Sequence, residues 1–236
     1  MKKLITSLAV TSVLATSALS FQASAVEGLS ANAAMTSNYL WRGVGQTQLE
    51  TCVGEDENIC INSTSKAAIS GGIDYATDSG FYVGTWVSNA SWADGMSYEL
   101  DLYGGYGADI NDSMSYDVGY IYYAYPDADE HVNFSEVYGS FTFSNLTLGV
   151  AILTSADGFD AGDSIYASAD YSLTLDNDAE LAFHLGSYTG DFSADYIDYG
   201  VSLSKDGFTL GASATDLDGT DGDVKFYVAY SMDIDL

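Results

Sequence analysis

The chain has 236 residues, with 34 acidic side chains against six basic ones, and 14% of its residues are aromatic, including 19 tyrosines. So much negative charge argues against nucleic acid or anionic lipid as the main partner, because both require a basic surface. The aromatic content argues against intrinsic disorder and is typical of membrane barrels, which carry Tyr and Trp at both water–lipid interfaces.

The N-terminus has the three parts of a secretory signal peptide. Lys2 and Lys3 supply positive charge, residues 4–19 form an apolar core, and an Ala-Ser-Ala stretch provides a cleavage site. We therefore predict that residues 1–25 are a signal peptide and that residues 26–236 form a single domain. No later apolar run reaches the roughly 18 residues needed for a spanning helix, so any membrane would have to be crossed by strands.

Twelve segments of the remaining chain alternate between apolar and polar residues and are separated by turn signals. They lie at residues 29–42, 66–76, 81–89, 97–107, 114–125, 134–143, 146–154, 164–174, 179–188, 195–204, 208–215 and 223–236. The alternation is unbroken from Val224 to the terminal Leu236. That length exceeds the ~5–6 residues of an ordinary strand but suits a tilted strand that crosses a bilayer, which needs roughly 9–11.

The connections between these segments fall into two length classes. They are short after even-numbered segments, as at residues 144–145, and generally longer after odd-numbered ones, as at residues 43–65. This sorting is typical of an outer-membrane barrel with both termini in the periplasm. We predict an all-β fold, a transmembrane antiparallel up-and-down β-barrel of about 12 strands. The competing architecture is a soluble β-sandwich, whose loops need not sort in this way.

Cys52 and Cys60 lie close together in a polar stretch of the first long connection. In an oxidising periplasm, we expect them to form a disulfide that bridges one loop. A redox pair or metal site would require CxxC spacing or nearby histidines, which this stretch lacks.

Three stretches resemble the TorF-type porin family of proteobacterial outer-membrane proteins. They are SNYLWRGV at residues 37–44, GGIDYATDSGFYVGTWVSN at residues 71–89 and YELDLYGGY at residues 98–106. The resemblance implies a small barrel in the bacterial outer membrane. The chain departs from the family pattern at Gly45, where a serine is usual, and in its cysteine-containing loop.

Strand alternation places a set of charged residues on the inner face of such a barrel. The candidate pore-lining residues are Arg42, Glu99, Asp101, Asp117, Glu136, Asp170 and Asp198. The same parity adds Asp74, Glu180, Lys66 and Lys225. Carboxylates around a narrow pore attract cations and repel anions. The hypothesis is a porin for passive diffusion of small polar solutes that prefers cations. In the alternative, these charges pair and close a structural or adhesive barrel without transport.

The outward face should carry aromatic anchors at the lipid interfaces. We predict this role for Tyr39, Trp41, Tyr106, Tyr120 and Tyr230. Outer-membrane lipid is then a partner, as is the barrel-assembly machinery during biogenesis. That machinery typically recognises an aromatic residue at the last position, so Leu236 is a weaker signal.

A barrel lipid hydrolase is the enzymatic alternative, with a histidine as general base for a serine. His184 has Ser168 and Ser187 as possible neighbours, but no GxSxG context marks a nucleophile. The aspartates of residues 215–223 resemble a calcium loop only weakly, because the EF-hand glutamate is missing. No cofactor motif is present, and we predict a protein that is not an enzyme and needs no metal.

Overall fold

The computed structural model describes residues 26–53, 59–64 and 66–236, and for residues 48–53 and 59–64 it describes the backbone alone. The predicted signal peptide lies outside the described residues. The strands are β1 (Leu29–Thr36), β2 (Leu40–Trp41), β3 (Val44–Gly45), β4 (Gln48–Val53), β5 (Ile59–Thr64), β6 (Ala68–Ala76), β7 (Phe81–Asn89), β8 (Tyr98–Asn111), β9 (Met114–Ala124), β10 (Phe134–Phe143), β11 (Leu146–Ala156), β12 (Ser164–Thr174), β13 (Glu180–Gly190), β14 (Tyr196–Lys205), β15 (Phe208–Thr215) and β16 (Lys225–Asp235). A single 3-10 turn, Gly219–Asp221, precedes β16 among the described residues.

Twelve of these strands, β1 and β6 to β16 without a gap, form a closed antiparallel barrel. Each pairs with its neighbour in sequence, and β1 closes the ring by pairing with both β6 and β16. The predicted twelve-stranded barrel is confirmed, and the two-layer sandwich is excluded.

The barrel has an apolar outside and a polar inside. Phe226 and Ile69 are 74% and 72% exposed on the outer face, and Val118 and Leu203 are exposed there as well. Aspartates and glutamates are buried on the inner face. This is the reverse of a soluble protein and is typical of strands whose outer face contacts lipid. Across the described ranges, no helix combines the length and apolar character needed to cross a membrane.

The two ends of the barrel differ in the length of their connections, as the sequence predicts. The end at which Val26 and Leu236 lie has tight turns, such as residues 144–145 and 206–207, where Ser144, Asp206 and Gly207 have positive φ. We call it the turn end. The opposite end, which we call the loop end, carries the longer connections, including residues 37–67.

The first strand is shorter than predicted, because β1 ends at Thr36 and does not continue to residue 42. Ser37 still pairs with Val228 of β16, and the Asn38 side chain donates to the Phe226 carbonyl. After Asn38 the chain leaves the wall and forms β2 and β3, a separate two-stranded sheet.

The cysteine loop forms a hairpin of β4 and β5, in which the backbones of Cys52 and Cys60 lie directly opposite each other. Their side chains lie outside the described residues. The disulfide therefore stays a prediction.

Inward tyrosines lie over glycines of the neighbouring strand. Tyr138 faces Gly119 across β9 and β10, and Tyr227 faces Gly211 across β15 and β16. A Cβ atom on Gly119 would lie 2.4 Å from the Tyr138 hydroxyl and 2.9 Å from the Gly104 carbonyl oxygen. The ring therefore occupies the space that a side chain at Gly119 would need.

Gly119→Ala is expected to lower the free energy of unfolding by about 1–3 kcal/mol, because the Tyr138 ring must be displaced. Gly139→Ala is the matched control on the adjacent strand. A Cβ there would meet its nearest neighbours, on Asp117 and Val118, at 3.6 Å, an ordinary contact. Urea unfolding of both variants in detergent tests the expectation, and equal effects would contradict it.

The loop-end mouth as candidate functional site

A short hairpin lies inside the barrel at the loop end. Residues 40–45, which we call the inner hairpin, pair Leu40 with Gly45 and Trp41 with Val44. Arg42 and Gly43 form its two-residue turn, with φ angles of 50° and 78°. Positive φ at both central residues is the geometry that lets a two-residue turn match the twist of paired strands.

The inner hairpin reaches across the mouth from one wall to the other. At its base, the Tyr39 hydroxyl donates to Glu99 of β8 at 2.8 Å. At its tip, a Cβ on Gly43 would lie 2.7 Å from Thr215 Cγ2 and 2.8 Å from Asp198 Cβ. Glycine at the tip therefore permits a close approach to β14 and β15.

Arg42 forms a bidentate ion pair with Glu136 of β10. Its two terminal nitrogens donate to the two carboxylate oxygens at 2.8 and 2.6 Å. Both side chains are buried, at 5% and 2% exposure. Burial alone would lower the pKa of the guanidinium, but the facing Glu136 carboxylate raises the pKa above its ordinary value. Arg42 therefore stays charged.

Aromatic rings complete the surroundings of the guanidinium. The Arg42 Cζ atom lies 4.1 Å from the ring centre of Trp41, 4.3 Å from that of Tyr166 and 5.4 Å from that of Tyr188. These distances are within the range of cation–π attraction. We call Glu136, Trp41, Tyr166 and Tyr188 together the arginine cage.

Apolar packing surrounds the cage and fills the mouth. Trp41 makes edge contacts with Tyr123 and Phe134, whose ring centres lie 6.1 and 5.9 Å away. From the loops, Trp92 and Phe192 pack against the same buried cluster. The wall residues and the inner hairpin thus form one core inside the barrel at this end.

The predicted pore-lining residues separate into two layers. Arg42, Glu99, Asp101, Glu136 and Asp198 are buried at the mouth. Both Asp101 and Asp198 have one buried carboxylate oxygen with no hydrogen-bond partner among the described residues. Arg42 is the only arginine of the sequence.

The two lysines predicted to be inside have other roles. The Lys225 amine donates to the Asp221 and Asp223 carbonyls in the loop. Lys66 precedes β6 and is exposed.

Asp117 and Asp170 lie deeper, toward the turn end. The Tyr82 hydroxyl donates to Asp117 at 2.8 Å. Asp170 faces His184 Nδ1 at 2.6 Å, while Asp198 faces His184 Nε2 at 2.8 Å. Asp117 is therefore bound by a tyrosine, and Asp170 by a histidine.

The histidine geometry bears on the hydrolase alternative. Both ring nitrogens of His184 are engaged by carboxylates, and strand alternation places Ser187 on the outer face, opposite to His184. Ser168 lies on the same face as His184, but the hydrogen-bond partners of the ring among the described residues are Tyr166, Asp170 and Asp198, and neither serine is one of them. Among the side chains that the structure describes, those of residues 26–47 and 66–236, no group of three or more His, Cys, Asp or Glu could hold a metal ion.

The prediction that Tyr39 and Trp41 anchor the barrel in lipid is wrong. Tyr39 is buried against Glu99 and Trp86, and Trp41 is part of the arginine cage, because the chain leaves the wall before both residues. Tyr120 is 45% exposed on the outer face, and Tyr106 and Tyr230 pack there against exposed Phe81 and Phe208. The signal in the sequence for this hairpin is the dipeptide Arg42-Gly43. Of its two residues, only the glycine is typical of a tight turn.

Comparisons with known proteins bear on the family and the fold. Residues 21–234 match the model of a family described as bacterial proteins of unknown function, Gcw_chp. No protein with a curated description matches the sequence.

Solved structures of porins are similar in fold. The KdgM porin has 11% identity and a TM-score of 0.53, over 86% of this chain and 97% of that one. KdgM in complex with disordered oligogalacturonate has 12% identity and a TM-score of 0.48, over 87% and 95%. OprD of Pseudomonas aeruginosa has 13% identity and a TM-score of 0.42, over 88% and 66%. At such low identity, the likeness to the first of these supports the fold alone.

Proposed function

The chain belongs to the Gcw_chp family of bacterial proteins of unknown function, and for it we propose an outer-membrane channel for small polar solutes that prefers cations. The observation that carries the proposal is the inverted barrel: apolar side chains face outward on the strands, while carboxylates line the interior. Lipid outside and water inside is the arrangement of a porin. Passive diffusion is the mechanism, since no site for a chemical step is formed by the groups described above.

The acids of the lower layer support the preference for cations. Asp117 and Asp170 lie below the mouth. Asp74 is a third acid of the lower layer and accepts hydrogen bonds from Asn32 and Tyr103. His184 faces Asp170, which leaves carboxylates in excess along this part of the lumen. A negatively charged lumen concentrates cations and repels anions.

Membership of the TorF-type porins is part of the proposal. One of the two more specific stretches of that resemblance, residues 37–44, contains most of the inner hairpin. Export by the signal peptide, insertion by the barrel-assembly machinery and residence in the bacterial outer membrane follow from the same proposal.

A closed structural or adhesive barrel is the second candidate. The packed mouth favours it, because the inner hairpin, the arginine cage and the loop aromatics fill the loop end. The channel requires the inner hairpin to move aside, whereas the structural barrel requires it to stay.

Reversal potentials in planar bilayers under a salt gradient test the cation preference. The double variant Asp117→Asn/Asp170→Asn is expected to lower the cation-to-anion permeability ratio about twofold or more, because it removes two lumen carboxylates. Asp78→Asn, which neutralises an exposed acid in a turn outside the lumen, is the control. A preference of the unmodified protein for anions would refute the proposal.

A further inference from the structure

The arginine cage has the features of a binding site for a cation. It offers two carboxylate oxygens of Glu136 in the geometry of a guanidinium fork, and the ring faces of Tyr166 and Tyr188. Bidentate pairing with a carboxylate is an interaction by which proteins recognise guanidinium groups, and cation–π contact is one by which they recognise guanidinium and protonated amine groups. Both interactions involve only the charged group of a ligand and not the rest of the molecule that carries it.

A further acid borders this site. The Tyr166 hydroxyl donates to Asp198 Oδ1 at 3.2 Å, while Asp198 Oδ2 has no partner among the described residues and the side chain is buried. This oxygen is an acceptor beside the cage that Arg42 leaves unused.

From this arrangement we propose that the cage binds a guanidinium or amine group of a solute, and that Arg42 is its tethered occupant, displaced when such a solute enters the mouth. The inference rests on the proposed channel. To the proposed channel it adds the chemical class of the solute and the binding event that opens the mouth.

The electrostatics of Glu136 explain why a cation is required. A buried carboxylate that loses its partner is strongly unfavourable, so Arg42 can leave only when another cation takes its place. The inner hairpin has only two paired residues on each strand. Backbone hydrogen bonds hold the residues that flank it, Tyr39 and Gln46, whereas the hydrogen bonds at its tip come from the Arg42 side chain. A neutral solute replaces none of these contacts and does not open the mouth.

The first experiment tests the site without requiring a channel. Arg42→Ala is refolded as the full chain, and its thermal unfolding is followed with methylguanidinium or its neutral isostere N-methylurea at millimolar concentration and fixed ionic strength. Methylguanidinium is expected to raise the unfolding temperature, and N-methylurea is not. Arg42→Ala/Glu136→Gln, which lacks the carboxylate charge, should lose this response. Should Arg42→Ala fail to fold, Arg42→Gln, whose uncharged side chain leaves the Glu136 carboxylate without a cation, is measured in the same way, with the same expectation of stabilisation by methylguanidinium.

The second experiment uses the unmodified protein in planar bilayers. Methylguanidinium is expected to raise the open fraction about tenfold when it is present at ten times its dissociation constant, while N-methylurea leaves the open fraction unchanged. The inference is overturned, and the channel is not, if two results are obtained together. The protein conducts with the same open fraction in both compounds, and neither compound stabilises Arg42→Ala. Stabilisation of Arg42→Ala by methylguanidinium without any conductance keeps the binding site and refutes the channel.

Discussion

Replacing Glu136 with alanine is expected to lower the free energy of unfolding by about 3–5 kcal/mol, because it leaves a buried guanidinium without its partner. The Arg42 pair is bidentate, with nitrogen–oxygen distances of 2.8 and 2.6 Å, and both side chains are almost completely buried. The Tyr123 hydroxyl, 3.3 Å from the same carboxylate, also loses its acceptor. The variant therefore loses more than an exposed ion pair would contribute, which is about 0–1 kcal/mol.

Urea unfolding in detergent, followed by tryptophan fluorescence, measures this loss. The double variant Arg42→Met/Glu136→Leu should recover most of it, because apolar side chains replace both charges at once. Glu130→Ala removes an exposed acid from a loop and is expected to change stability by less than about 0.5 kcal/mol. A Glu136→Ala variant as stable as Glu130→Ala would show that the pair does not hold the mouth together.

Replacing residues 39–47 with a short Gly-Ser linker is expected to raise single-channel conductance by roughly three- to tenfold, since a twelve-stranded barrel has room for a pore once its filling is removed. Residues 39–47 make contacts across the mouth: Tyr39 binds Glu99 on β8, and Gly43 lies close to Thr215 on β15. The linker variant also loses Arg42. The mouth acids then lack their guanidinium partner, and the preference for cations should increase.

Planar-bilayer recordings at fixed salt give this comparison. The control replaces residues 218–220, which are exposed in another loop, with a linker of the same composition. Its conductance should match that of the unmodified protein. A linker variant at residues 39–47 that folds but conducts no better than the control would favour the closed structural barrel over the channel.

Alternation along the sequence was sufficient to locate the wall of the barrel. The predicted bounds of residues 81–89, 134–143, 164–174 and 208–215 coincide with β7, β10, β12 and β15. The reason is local: a strand between lipid and a polar interior must place successive side chains on opposite faces. Glu136 and Asp198, which the same rule assigns to the inner face, are buried.

Alternation failed where the chain leaves the wall. The pattern of residues 29–42 predicts one strand with Tyr39 and Trp41 in lipid, yet both lie inside the barrel. Their environment depends on partners far away in sequence, since Glu99 and Glu136 lie 60 and 94 residues from the groups they bind. The barrel wall was thus determined by the sequence itself, through a periodicity that each strand carries alone. The mouth was decided only by the tertiary structure, because a buried charge takes its position from the carboxylate and rings that surround it, and these come together only when the barrel closes.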